Sequence, residues 1–355
     1  MRLSQPAARA AMRSELDFRI AVIPERYGAV MSPCASIRLH AFTARFKADV
    51  RYLIPDELAA FSPHVVIWNR GAVTESQDFG RLEAAKAKGA RLVFDLDDNL
   101  LAMDEHPERE AYADIIGAVR RSVLLADVTW CSTPMLASAI EKEGGKVQCM
   151  PNALDDVLWQ AADSTPVALP RSGPLRLLYM GTRTHDEDFR LLDSALELVW
   201  SRCPRAFSLT LVGVNSTTTK SRPWLDIVSP PSHVGASYPA FVHWFSQRRD
   251  YHAGVAPLVD SVFSRCKSSI KVLDYAQLGL ATLASDVPAY RHDAMNDRIL
   301  VENSPEEWAR CIFEVIDQTL PLDAVAVNAS QRIGREVFEA AVAHRWISCT
   351  QHLGE

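Results

Sequence analysis

Gly254–Asp286, GVAPLVDSVFSRCKSSIKVLDYAQLGLATLASD, is the stretch whose reading decides the fold. It opens with an apolar, strand-like run that ends in Pro257-Leu258, and continues into a loop carrying Asp260, Ser261, Ser264 and Arg265. Over Cys266–Gly279 the residues Ile270, Leu273, Tyr275, Ala276 and Leu278 form a broad apolar stripe, which predicts a helix that Gly279 stops. Ala281–Ala284 then predicts a buried strand ending at Ser285-Asp286. A helix that starts at Cys266-Lys267-Ser268-Ser269 would bring free backbone N–H groups, the positive end of its dipole, Lys267 and Lys271 to one place. That set suits a phosphate or diphosphate. An ordinary βαβ unit with a solvated basic helix start explains the same residues equally well.

Working outward, the chain has 355 residues, 48% of them hydrophobic, which is enough for two cores and predicts two domains. A net charge of −6 argues against a dedicated nucleic-acid binder, whose backbone contacts need surplus Lys and Arg. The seven cysteines occur singly, without a C-x-x-C pair, which reads as reduced thiols in a cytosolic protein. The ten histidines show no H-x-x-H or H-E-x-x-H spacing, so no metal site is expected. No G-x-S-x-G element or G-x-x-x-x-G-K-[ST] loop occurs, and Gly28 stands alone where a nicotinamide enzyme would carry G-x-G-x-x-G. No apolar run approaches membrane-spanning length. Residues 1–17 read as a flexible, arginine-rich arm; a solvated tail is its first reading, and weak peripheral attraction to anionic lipid is the other.

Strands alternate with helices along the rest. Strands are predicted at Phe18–Ile23, Val50–Ile54, His64–Trp68, Arg91–Leu96, Val128–Cys131 and Val147–Met150, with helices near Cys34–Phe46, Glu75–Lys88, Pro107–Ala126 and Pro134–Glu143. Asp163–Pro174, rich in Pro, Ser and Thr and without periodicity, is the expected linker. The alternation then restarts with strands at Leu175–Met180, Phe207–Val212 and Ile227–Val228, and the last long helix is expected over Asp323–His344. Two mostly parallel sheets, each covered on both faces, follow from this pattern.

Two further stretches carry chemistry. Gly181 ends a strand and permits a tight turn, after which Thr182, Arg183, Thr184, His185 and Asp186 lead into a helix. Thr182, Thr184 and His185 offer ligand contacts; Thr184 with Glu187 also fits a capping box, and both uses are compatible. Phe94-Asp95-Leu96-Asp97-Asp98-Asn99-Leu100 resembles the first motif of haloacid dehalogenase-type phosphatases, with Asp95 and Asp97 as the paired acids, but Asn99 stands in place of the usual Thr and no suitable Lys follows. The D-x-D metal motif of GT-A glycosyltransferases is a second likeness of the same acids, and a structural acidic turn a third reading. Arg38, at a predicted helix start, suits a phosphate or an acceptor carboxylate, or equally a salt bridge.

On these residues together the chain resembles the family 4-type (group 1) glycosyltransferases of the GT-B fold. A bacterial branch shows the pattern aPL.d..FN..KS..K.lEY...G.P...Sd...Y, matched by Ala256-Pro257-Leu258, Asp260, Phe263, Lys267-Ser268, Lys271, Leu273-Asp274-Tyr275, Gly279, Ser285-Asp286 and Tyr290. Gly181-Thr182, His185 and Asp188 resemble that branch's GT.tH..D signature, and Asp95–Leu100 its yDiDDnl. Ser132-Thr133-Pro134 and Pro151–Asp155 resemble its STp.l...v.NavD run. Two departures stand out: Asp274 replaces the usual Glu, and Cys266 occupies the place where many relatives carry the first Glu of an E-x7-E pair.

The resemblance implies an α/β, GT-B architecture: an acceptor domain over 18–162, a linker over 163–174, a donor domain over 175–322, and a C-terminal helix over 323–355 returning to the first domain, with a cleft between the two. It implies transfer of a sugar from a nucleotide-sugar donor to a glycan, lipid-linked or protein acceptor, with retention and with no metal or other cofactor, in the cytoplasm or at the inner face of its membrane. Lys267, Lys271 and His185 would carry the chemistry, and Gly181, Thr182, Arg183, Ser268, Asp260 and Asp274 would hold the donor, Asp274 through ribose hydroxyls. Arg38, Asp95, Asp97 and Asp98 would line the acceptor side. A non-catalytic nucleotide-sugar binder is the alternative from another class, and Cys266 in place of an acid is the feature that favours it.

Overall fold

The computed structural model describes residues 18–104, 106, 109–170, 173–181, 186–213, 221–235 and 237–351. The chain divides into two compact units, one running to Asn152 and resuming at Glu339, the other Ala153–Phe338. The division falls ahead of the Pro- and Ser-rich stretch that composition marks as the linker. Most of that stretch is tied into the second unit: the Val167 N–H donates to the Gly279 carbonyl at 2.9 Å, and Arg249 pairs with Asp163 at 2.9 Å. Gly279 makes the docking feasible, since a Cβ there would lie 2.0 Å from the Thr165 carbonyl oxygen.

In the first unit β1 (Arg19–Ile23), β4 (Asp49–Tyr52), β5 (Val65–Asn69), β6 (Arg91–Leu96), β7 (Val128–Cys131) and β8 (Val147–Cys149) form one sheet in the order β4-β1-β5-β6-β7-β8. All its pairings are parallel. A small antiparallel hairpin, β2 (Arg26–Tyr27) with β3 (Val30–Met31), follows β1. Every residue of β5 is buried, as expected of a central parallel strand covered on both faces. Residues 33–43 form a short helical run whose centre, Ser36–His40, is a π-turn; Ser32 caps it by accepting from the Ala35 N–H at 3.1 Å.

The sequence predicts one last helix over Asp323–His344; two form instead, Leu322–Ser330 and Arg335–Thr350. Gly334 lies in the turn between them at φ +124°, a value L side chains rarely adopt, and it ends the periodicity there. The second helix finishes in the first unit. Trp346 meets Phe18 edge-on with centroids 5.7 Å apart and leans on Phe46 at 5.4 Å, while Ser348 accepts from the Trp130 indole at 3.0 Å. Arg345 donates to the Met150 and Pro151 carbonyls at 3.2 and 2.9 Å.

The second unit has the strands β9 (Leu175–Met180), β10 (Phe207–Val212), β11 (Leu225–Val228), β12 (Ala253–Ala256), β13 (Ala281–Ser285) and β14 (Ile299–Val301), all parallel, in the order β11-β10-β9-β12-β13-β14. Alternate residues of β9 serve two cores. Leu177 and Tyr179 pack with helices Asp186–Arg202 and Pro305–Ile316, and Leu178 packs with helices Tyr238–Phe245 and Ile270–Gln277. Both units are therefore three-layered and Rossmann-like. Among the described residues no helix is long and apolar enough to cross a membrane.

Candidate functional site

Counted within the second unit, the strand order is 3-2-1-4-5-6, which reverses between β9 and β12. Open parallel sheets bind ligands outside the carboxyl ends of the strands at such a reversal. Here β9 and β12 pair only through Ala253 with Leu177 and Gly254 with Leu178. Beyond that point Tyr275 stands between them: its hydroxyl accepts from the Met180 N–H at 3.0 Å and donates to the Val255 carbonyl at 3.0 Å. The ring lies so close over β12 that a Cβ at Gly254 would sit 2.3 Å from Tyr275 Cδ2. One phenol thus supplies the hydrogen bonds that the diverging ladder lacks.

The loop that leaves β12 is pinned by three side chains. Ser285 accepts from the Leu258 N–H at 2.8 Å, Asn303 donates to the Leu258 carbonyl at 2.8 Å, and Asp188 accepts from the Val259 N–H at 2.6 Å. Asp260 is exposed and engaged by its own loop: Arg265 grips it at 2.7 and 2.9 Å and holds its carboxyl below the usual range. The predicted Cys266–Gly279 helix is shorter than its periodicity implies. Ser264–Cys266 is a 3₁₀ turn, Lys267 is extended (φ −65°, ψ 153°), and the α-helix is Ile270–Gln277. The serines explain this, since Ser264 and Ser261 bond to one another's backbone and hydroxyl and favour the tight turn over a continued helix.

The shortened helix changes where the lysines sit. Lysines on a helix's first turn belong at the surface by sequence reasoning; Lys267 is half-buried, with its ammonium 4.8 Å from the Phe263 ring centroid, but Lys271 is only 9% exposed. Lys271 Nζ lies 5.2 Å over the Tyr179 ring and has no hydrogen-bond partner. Burial pushes its pKa down to about 8, against the attraction of Asp188 and Asp274. Asp274, also buried, is pushed up to about 7 by the same loss of water, with Lys271 opposing the shift. Ser268 is half-buried beside them, and Ser269 donates to Asp293 at 2.5 Å. Gly181 is buried at the end of β9, where its N–H donates to the Val212 carbonyl at 3.0 Å. Thr182, Arg183 and His185 lie outside the described residues.

In the first unit the anticipated acceptor-side residues separate into two groups. Arg38 and Asp95 are wholly buried and joined by two bonds, 3.2 and 2.7 Å, and Arg38 also donates to the Met150 carbonyl at 2.5 Å and to Asn152 at 3.0 Å. The π-turn carries Arg38 into the interior, so its guanidinium holds the end of β6 to the end of β8 and faces no solvent. Breaking such a pair from one side leaves a buried unpaired charge, and Arg38→Ala is expected to cost about 3–5 kcal/mol in chemical denaturation. A loss below about 1 kcal/mol would show that Arg38 is not the tie described.

Asp97 and Asp98 form the other group, around a residue the sequence does not advertise. Arg70 follows β5 at φ +47°, is 3% exposed, and reaches Asp97 at 2.9 Å, Asp98 at 3.0 Å and Glu25 at 3.4 Å. Asn69-Arg70-Gly71 reads as an ordinary polar turn, and nothing in its spacing points 27 residues ahead to Asp97. Among the described residues, no three His, Cys, Asp or Glu side chains are grouped so as to hold a metal ion.

No protein-family model matches this chain, and no curated protein matches it by sequence. Solved structures do. The chain is similar to Anabaena HepE in complex with UDP-glucose (TM-score 0.63, 12% identity, 93% of this chain and 99% of that one). It is also similar to the pneumococcal O-GlcNAc transferase GtfA in complex with UDP and GlcNAc (0.57, 12%, 85% and 60%). A third is a Listeria monocytogenes protein described as a putative UDP-N-acetylglucosamine 2-epimerase (0.53, 12%, 96% and 97%). The chain therefore spans about 60% of GtfA and nearly all of the other two. At these identities the likeness establishes the fold, two Rossmann-like domains of the GT-B kind.

Proposed function

We propose that this chain is a retaining glycosyltransferase whose second unit holds a nucleotide-sugar donor, working in the cytoplasm and without a metal. The observation that carries the proposal is Lys271: a buried ammonium with no hydrogen-bond partner, beside the strand-order reversal of a parallel sheet. Glycosyl transfer breaks the bond between the anomeric carbon and the diphosphate oxygen, so negative charge grows on the leaving group. A fixed cation in a poorly solvated site stabilises that charge far better than one in water. Lys267 and Ser268, on the extended segment before the helix, would share the diphosphate, and Asp274 would accept hydrogen bonds from the ribose. Gly181, with Thr182, Arg183 and His185 after it, would meet the phosphates and the sugar, and a glycan, lipid-linked or protein hydroxyl would receive the sugar.

Thermal unfolding with nucleotide sugars and with UDP, in EDTA, tests this reading. A ligand at about a hundred times its Kd adds about 2.7 kcal/mol to the native state and raises the melting point. UDP affinity should be greatest with Lys271 charged and fall as pH rises through about 8, by up to tenfold per pH unit. Affinity that is flat from pH 7 to 9.5, or binding abolished by EDTA and restored by Mn2+, would overturn the assigned site. Binding without turnover would instead favour a nucleotide-sugar-binding protein, a reading that the buried Cys266 thiol, in the position of the family's first acid, supports.

A further inference from the structure

We propose that Cys131 and Cys149 form a reversible dithiol–disulfide pair in the first unit, with Cys149 the nucleophile toward low-molecular-weight disulfides and Cys131 the thiol that resolves the adduct. Along the chain the seven cysteines stand singly, and it is the sheet that brings these two together.

The strands β7 and β8 are parallel neighbours whose register sets Cys131 directly opposite Cys149. The other five cysteines lie outside the strands. Adjacent strands run about 4.8 Å apart, and a disulfide joins Cα atoms about 4.4–6.8 Å apart, so the span fits. Alternation along the strands puts both thiols on one face. Trp130 and Gln148, paired one row earlier, both bond Ser348 of the last helix, so the two thiols lie on the face away from that helix. β8 is an edge strand, and Cys149 is partly exposed on it, whereas Cys131 is wholly buried. An oxidant from solvent therefore meets Cys149 first.

The surroundings divide the roles in the same sense. Arg38 and Arg345, both buried, donate to the carbonyl of Met150, the residue after Cys149, at 2.5 and 3.2 Å. The Cys131 thiol, donating to the Cys149 sulfur, lowers the Cys149 pKa to about 7 against the cost of burial, and the charges of Arg38 and Arg345 act with it. The same hydrogen bond raises Cys131, and burial raises it further. Cys131 also has the Thr133 and Gln148 carbonyls as acceptors at 3.6 and 3.8 Å, which favours its protonated form. Burial pushes Cys311 and Cys349 up to about 12 and raises Cys34 as well. The thiolate, not the thiol, attacks disulfides.

The exchange balances with glutathione disulfide as the oxidant. The Cys149 thiolate attacks one of its sulfurs; that S–S bond breaks, a mixed disulfide forms on Cys149, and the departing glutathione thiolate takes up the proton that Cys149 gave to solvent. Cys131 then attacks the Cys149 sulfur and expels the second glutathione thiolate, which takes the Cys131 proton. Two protein thiols lose two electrons, the external disulfide gains them, and the products are one protein disulfide and two glutathiones. Excess dithiol runs the exchange backwards.

Peptide-mapping mass spectrometry of the whole folded protein, treated with glutathione disulfide near neutral pH and then blocked with iodoacetamide, reads the outcome. A Cys131–Cys149 disulfide is expected, and dithiothreitol should remove it. In Cys131→Ser glutathione should remain on Cys149, and in Cys149→Ser Cys131 should stay unmodified. In the reduced protein Cys149 should be alkylated several times faster than any other cysteine near neutral pH. Its rate should level off above about pH 7, where an ordinary thiol keeps gaining through about pH 8.5. An unaltered protein that keeps glutathione on Cys149, or that forms no Cys131–Cys149 disulfide, would overturn the proposal, as would modification of Cys131 in Cys149→Ser. Should either variant fail to fold, the disulfide map and alkylation rates of the unaltered protein decide alone.

Discussion

Lys271→Met should make the free protein more stable and its hold on a nucleoside diphosphate at least a hundredfold weaker. A lysine pKa lowered from 10.5 to about 8 by burial means that the charged form is disfavoured by on the order of 3 kcal/mol. The sign follows from proton binding. Between pH 8 and 10.5 the unfolded chain holds the proton that the folded one has released, so stability rises with pH across that window, and the full penalty applies below it. Met keeps the length and apolar stem of the side chain and removes the charge, so unfolding at pH 7 should gain about 1–3 kcal/mol, and at pH 10 much less. The same change removes a charge-assisted contact to the diphosphate, typically worth about 3 kcal/mol. Calorimetry of unfolding and of UDP binding reads both effects. A less stable variant would mean that Lys271 has a partner in the free protein, and unchanged UDP affinity would mean that the diphosphate binds elsewhere.

Tyr275→Phe is expected to be among the most destabilising conservative changes in the second unit. It deletes one oxygen, yet leaves the Met180 N–H and the Val255 carbonyl without partners where β9 and β12 part. Each orphaned buried group costs about 1–3 kcal/mol, so a total near 2–5 kcal/mol should appear in denaturant unfolding. Gly254→Ala attacks the same joint from the other side. Its Cβ would fall 2.3–2.7 Å from three ring atoms of a tyrosine whose hydroxyl is tethered on both sides, so the ring cannot step back. The two changes should combine to less than their sum, because a phenylalanine freed of both tethers can yield to the methyl. Strict additivity would show that the hydroxyl does not fix the ring.

What can be read from the sequence follows periodicity and strong local signals. The buried strands announce themselves as runs such as Val65-Val66-Ile67-Trp68, because a parallel strand covered on both faces has no polar side to interrupt it. Gly279 marks the helix end for the usual left-handed reason, at φ +70°. The helix start is harder to place, because Ile270, Leu273 and Tyr275 fix the stripe but not its first residue, and the bonds between Ser261 and Ser264 end the preceding turn. Pairings that span distant parts of the chain are out of reach. Arg38 and Asp95 are 57 residues apart, and Arg38 carries the same charge whether it faces a ligand or a buried carboxylate. The burial of Lys271 and the fork of carboxylates on Arg70 are likewise tertiary facts, with no periodicity to report them.

The first unit is written in two pieces of chain. Its last strand is complete at Cys149, but the Pro151 carbonyl waits for Arg345, which also adds a second donor to the Met150 carbonyl already held by Arg38, and Phe18 and Phe46 wait for Trp346. A ribosome therefore delivers every residue of the second unit before the first can close its core. Domains commonly fold in order from the N-terminus as they emerge, but here the earlier one stays open until the segment from Glu339 on has been made. A nascent chain arrested after Phe338 should carry a protease-resistant second unit and a first unit that is still cut. For the same reason, residues 18–152 produced alone would lack the Trp346 and Cys349 side of their core, whereas a permuted chain with 339–351 fused ahead of Phe18 would contain it.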